Sequence, residues 1–74
     1  MGKEKIVTKI SIKTEYITLA QFLKLSNIIQ SGGEARFFIN NRSILVNGEP
    51  EKRKGKKLYK NDHIKIENED YVIC

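Results

Sequence analysis

The chain opens on an alternating pattern. In KIVTKISIKT, residues 5–14, Ile6, Thr8, Ile10 and Ile12 fall on one side and Val7, Lys9, Ser11 and Lys13 on the other. A period of two predicts a half-buried strand. The period then lengthens. In LAQFLKLSNIIQ, residues 19–30, Leu19, Phe22, Leu23, Leu25 and Ile29 make one apolar face, with Ala20, Gln21, Lys24 and Asn27 opposite. That spacing predicts a helix, with Thr18 as its N-cap and the glycines of Ser31–Gly32–Gly33 ending it. A second, shorter helix is predicted in GEARFFINNR, where Ala35, Phe38 and Ile39 form a core stripe. Arg36 and Asn40 share its other side, Phe37 fits neither, and Asn40 and Asn41 suit the exit. The run Ile44–Leu45–Val46 reads as a strand that meets a tight turn at Asn47-Gly48. Pro50 keeps the next strand from pairing centrally. A turn at Asn61-Asp62 precedes a strand containing Ile64 and Ile66, and NED, residues 68–70, turns the chain into a last strand, YVIC. The whole reads as α+β: two adjacent helices packed on a small, mainly antiparallel sheet with an extra N-terminal strand.

Size narrows what this fold can do. Seventy-four residues make one domain, residues 1–74, without an internal repeat. A chain this short buries only about 60% of the surface that its unfolded form exposes, which leaves little room for a deep catalytic cleft. The sequence is 39% hydrophobic and 31% charged, the balance of a folded globular chain. No apolar run reaches the roughly 20 residues that span a bilayer, and MGKEKIVTKI carries no secretory apolar region. Ile6 stands where a myristoylation signal needs Ser or Thr. A cytoplasmic protein without a membrane contact is expected. The one cysteine, Cys74, has no second sulfur to pair with, and the one histidine, His63, reads as a solvated turn residue. No catalytic residue, metal or cofactor is expected, and Glu49 and Glu51 read as turn residues rather than an acid/base pair.

Charge adds the chemistry. The net charge is +5, from 14 Lys and Arg against 9 acids, and six of those cations lie in EKRKGKKLYK, residues 51–60. They are Lys52, Arg53, Lys54, Lys56, Lys57 and Lys60. Glu51 alone opposes them there. The stretch lies between two segments that must both enter the core, so it is a loop pinned at its ends. A pinned loop holds its cations in one place, which suits a polyanion and lowers the ordering cost of binding.

The order of helix, glycine-bearing turn, helix, ILVNGEP, basic stretch and NDHIKI resembles the S-four RNA-binding domain, the alpha-L motif. The resemblance covers about residues 15–73, with residues 1–14 as an N-terminal strand extension. LAQFLKL, Ala35 with Phe38 and Ile39, Val46-Asn47-Gly48, and Asp62 with Ile64 carry it. ITLAQFLKLSNIIQSGGEARFFI and GKKLYKND make the chain look most like the small stand-alone bacterial members, the YaaA type. The resemblance implies a monomer whose helix starts and basic loop bind folded RNA, ribosomal or tRNA-like, alone or with ribosome or ribosome-assembly components. Two departures shift the burden to the loop: many members open the first helix with Arg, here Thr18, and the second with Ser-Arg, here Ser31-Gly32. Bare N–H groups at Gly32 and Gly33 offer partial compensation.

The residues expected to contact RNA are therefore Arg36, Lys52, Arg53, Lys54, Lys56 and Lys57. Thr18, Gln21, Lys24, Ser31, Gly32, Gly33, Arg42 and Lys60 are further candidates. Phe37 and Tyr59 have the chemistry to stack on unpaired bases, but in so small a core they are expected to pack. Two functions stay open: a non-catalytic RNA-binding module that recognises backbone and shape, and a protein-interaction adaptor whose basic loop meets an acidic partner.

Overall fold

A computed structural model describes residues 6–74. Seven short strands and two helices follow one another as β1 (Val7–Ile10), β2 (Tyr16–Thr18), α1 (Leu19–Leu25), α2 (Ala35–Asn41), β3 (Ile44–Val46), β4 (Glu49–Pro50), β5 (Lys57–Tyr59), β6 (His63–Ile66) and β7 (Glu69–Ile73), with a 3₁₀ turn at Gly32–Glu34 before α2. Five strands form one sheet in the order β1-β7-β6-β3-β4, and β2 pairs with β5 in a separate ribbon. Every pairing is antiparallel except β1 on β7. The expected α+β architecture, with its additional N-terminal strand, is what the chain adopts.

The core fills one face of the sheet. Ile44 and Val46 of β3, Ile64 and Ile66 of β6 and Ile73 of β7 meet Leu19, Phe22 and Leu23 of α1 and Ala35 and Ile39 of α2. Leu58 of β5 and Ile12 close it. Phe22 packs edge-on against Tyr71 at 5.4 Å between ring centroids. Burial, with a smaller contribution from nearby Glu69, pushes the Tyr71 hydroxyl pKa up. Fully burying a Leu, Ile or Phe side chain stabilises by about 1.5–3 kcal/mol, so these side chains carry most of the fold.

The hairpin turn forms as expected. Asn47 and Gly48 have φ of 52° and 87°, the doubly positive pair of a type I′ turn, which matches the twist of the strands it joins. Asn47 also ties this turn to the next one. Its Nδ2 donates to Asp62 Oδ1 at 3.2 Å, and its Oδ1 accepts the His63 N–H at 2.9 Å.

Four expectations need correcting. The first helix does not run to the glycines; it ends at Leu25. Asn27, at φ 66°, supplies the left-handed residue: its N–H donates to Lys24 O at 3.0 Å and that of Ile28 to Leu23 O at 2.9 Å. This pair of bonds is a Schellman cap, which Asn can make almost as well as Gly. Ile29 is still buried, but from the turn, while Leu25 is 56% exposed. Second, Ile6 is exposed at the sheet edge instead of continuing the apolar side of β1. Third, the last turn sits at Glu67-Asn68 rather than in residues 68–70. Glu67 takes φ 55°, and its carboxylate accepts the Ser43 N–H at 3.0 Å, so the final strand starts earlier. Fourth, Phe37 does not pack. It is 73% exposed on the outer side of α2. The β2–β5 ribbon has no counterpart in the sequence reading, which ran residues 14–16 directly into the helix.

Candidate functional site

The basic stretch is held along its length, and α1 is what holds it. A helix start leaves backbone N–H groups without intrahelical partners. Here the Thr18 N–H donates to Gln21 Oε1 at 2.8 Å and the Gln21 N–H to Thr18 Oγ1 at 3.2 Å, a capping box. The two N–H groups between them reach across to the loop. Leu19 N–H donates to Lys56 O at 2.8 Å and Ala20 N–H to Lys54 O at 3.0 Å. The loop carbonyls thus latch onto the positive end of α1, with the Lys54 side chain exposed and that of Lys56 half-buried. The same arrangement occupies the N–H groups with which α1 would otherwise meet an anion. Thr18 and Gln21 are engaged with each other.

The start of the loop is fixed by a carboxylate. Glu51 accepts the Arg53 backbone N–H at 3.0 Å and two of its guanidinium N–H groups, from Nε at 2.9 Å and Nη2 at 3.3 Å. Its side chain is only 10% exposed, against 74% for Arg53. The hydrogen bond from Arg53 holds the Glu51 carboxyl below the usual carboxylate range, and the reciprocal bond raises Arg53. The Glu51 N–H is itself anchored on Ile44 O at 2.9 Å. Glu51 is thus an anchor of the loop and not simply the turn residue its place after Pro50 suggests. The signal was present, since it is the one acid in a run of cations, spaced i, i+2 from an arginine.

These anchors bring residues of two elements together. Arg36 and Asn40 of α2 face Lys52, Arg53 and Lys54 of the loop across a cleft of about 380 Å³, with Ile39 at its floor. Lys52 Nζ lies 3.4 Å from Ile39 O, near the carbonyl end of α2, where a cation is favoured. Lys56 and Lys57 do not join this cleft. They line a second recess of about 370 Å³, with Arg53, Gly55 and Tyr59.

The further candidates are dispersed. Lys24 is exposed on α1 beside Gln21 and Leu25. Ser31 precedes the 3₁₀ turn that contains Gly32 and Gly33, and the exposed Glu34 brings an acid into that turn. Arg42 lies over the Phe38 ring at 5.5 Å from its centroid. Lys60 is exposed in the turn after β5. His63 sits with Nε2 3.2 Å from Asp70 Oδ1 on the sheet. Among the described residues, no group of three or more His, Cys, Asp or Glu is placed to hold a metal ion, and no helix is long and apolar enough to cross a membrane.

The chain is 57% identical over 58 residues to a Bacillus subtilis (strain 168) protein named probable ribosome maturation protein RlbA, a match that covers 78% of this chain and 82% of the relative. The family model for the S4 domain matches residues 10–74. Nearly the whole described chain, from the end of β1 through both helices and the basic loop to its last residue, belongs to the S4 domain family.

Proposed function

We propose that this domain is a non-catalytic RNA-binding module that grips the phosphate backbone of structured RNA, ribosomal RNA in the first instance, between α2 and the basic loop. The observation that carries the reading is the cleft in which Arg36 faces Lys52, Arg53 and Lys54. Its cations stand on two walls that the core and the α1 latch keep in place, so phosphates can be met without ordering a mobile tail. Contacts of this kind position a nucleic acid by shape and backbone and read no bases directly. Membership of the S4 domain family supports the reading, as does likeness to a relative named for ribosome maturation. A place in the cytoplasm, as a monomer working on the ribosome or its assembly components, fits both.

The capped start of α1 favours a second reading. That helix has no acid or base in its first turn and no free amide there to offer, so α1 itself adds no cationic contact beside the loop. An adaptor with an acidic protein partner needs no more than that. The deciding experiment is competition. A fluorescent ribosomal RNA hairpin is bound to the protein and displaced by unlabelled hairpin or by polyglutamate of equal charge. The RNA-binding reading expects the hairpin to compete at far lower concentration. Equal competition would replace it with the adaptor.

A further inference from the structure

Beyond the cleft on the α2 side, we propose that the outer face of the β2–β5 ribbon is a docking platform for an unpaired nucleotide, its base stacked on Tyr59 and its phosphates held by Lys56 and Lys57. This rests on the RNA-binding reading and adds to it the kind of RNA: a helix with single-stranded nucleotides leading away from it.

The ribbon has two faces. Ile17 and Leu58, opposite one another, turn toward the core. Tyr16 opposite Tyr59, and Thr18 opposite Lys57, turn outward. The two tyrosine rings lie 5.7 Å apart at 45°, and they stay 37% and 43% exposed. Lys57 Nζ stands over the Tyr16 ring, 4.9 Å from its centroid. Tyr16 is thus already engaged by a cation. Tyr59 is the ring that lines the recess with Lys56, Lys57, Gly55 and Arg53.

Among the described residues, no acid lines that recess. A half-exposed aromatic ring flanked by lysines is the combination that holds single strands: the charges track the backbone and the ring takes a base of any identity. An acidic peptide would satisfy the lysines and leave the ring unused, so the surface fits a nucleotide better. Arg53 borders both recesses, and Glu51 fixes its guanidinium between them. An RNA strand leaving a duplex held against α2 would pass Arg53 and arrive at Tyr59.

The test uses one RNA hairpin in several forms: blunt, with a three-nucleotide overhang at either end, and with the same overhangs made abasic. The abasic forms keep every phosphate and lose only the bases. Affinity is read by anisotropy. Tyrosine emission is a second readout, since the chain has no Trp. One overhang is expected to bind about tenfold tighter than its abasic form and to quench tyrosine emission. Tyr59→Leu should erase that difference and leave the blunt hairpin bound as before, while Tyr59→Phe should retain it. Equal affinity of base-bearing and abasic overhangs for the unaltered protein overturns the platform. So does a preference that survives Tyr59→Leu. If the blunt hairpin binds and no overhang helps, the platform alone falls. If no form binds, the RNA-binding reading falls with it.

Discussion

Removing Arg36 and Lys54 together tests the cleft directly, because the two side chains stand on its opposite walls and both are exposed. Four cations line the cleft. If each neutralises one phosphate of a duplex-like RNA, log affinity falls against log salt with a slope of about −3.6. Raising salt from about 50 to about 200 mM then weakens binding about 150-fold. The Arg36→Ala/Lys54→Ala variant keeps two of the four contacts. Its slope should be about −1.8, and the same salt change should cost only about 12-fold. A matched control removes as much charge elsewhere. Lys9 and Lys13 belong to the β1 end of the sheet, across from β4, which feeds the loop. Lys9→Ala/Lys13→Ala has the same net charge as the cleft variant and should keep nearly the full slope. The assay is a titration of one ribosomal RNA hairpin at five salt concentrations, with circular dichroism to confirm folding. Two results would refute the reasoning: a cleft variant with the slope of the unaltered protein, or a control that flattens the slope as much as the cleft variant does.

Other outcomes follow from the anchors of the loop and turns. Thr18→Ala removes the capping box and should lower stability by about 1 kcal/mol in urea titration, loosening the loop latched to the same helix start. Gly48→Ala meets no neighbour, since a Cβ there would find nothing within 4 Å, so its cost is that of holding φ at 87°. That cost should be about 1–2 kcal/mol, read as a lower denaturation midpoint without a change in slope. Glu51 has a folded-state pKa below its unfolded one, so its contribution is complete above the unfolded value and fades as pH falls through the folded one. Thermal melts between about pH 5 and about pH 3 should therefore fall more steeply for the unaltered protein than for Glu51→Gln. Parallel pH curves would remove the Glu51–Arg53 pair from the account.

What could be read from the sequence depended on how locally each feature is determined. The Asn47-Gly48 turn and the Ile44–Val46 strand were legible because one dipeptide and three apolar residues settle them. So was the core face of α2, through Ala35 and Ile39 at i and i+4. The end of α1 was not. Apolar residues continue past Leu25 to Ile29, and periodicity alone does not separate a helix from a capped turn that buries Ile29 and half-buries Ile28 beside it. Asn27 was the decisive residue, less conspicuous than the glycines five positions on. The β2–β5 ribbon was hidden for another reason. Tyr16–Thr18 is three residues long, and only pairing with the distant Lys57–Tyr59 makes it a strand. The same holds for the site. Six clustered cations announced a polyanion surface, but its division into two recesses depends on how the folded loop runs past α2 and β5, which leaves no trace in composition. The exposure of Phe37 and Tyr59 went unseen because an aromatic residue in a small domain is ordinarily needed inside.

The parallel pairing of β1 with β7 joins strands from the two ends of the element order, Val7 opposite Asp70 and Ile10 opposite Ile73. Among the described elements, synthesis delivers β1 ahead of all the others and β7 after them. Of the sheet's pairings this one closes the longest stretch of chain, so it carries the largest loop-closure cost. Until it forms, β7 shows one side of its backbone as a row of unpaired N–H and C=O groups, a template on which a strand from another chain can build. The first strand therefore replaces that edge with its own, only four residues long and carrying the exposed Lys9, which invites edge-to-edge joining less. Its loss would be felt less in the melting temperature of the dilute domain than in the concentration at which copies begin to join edge to edge.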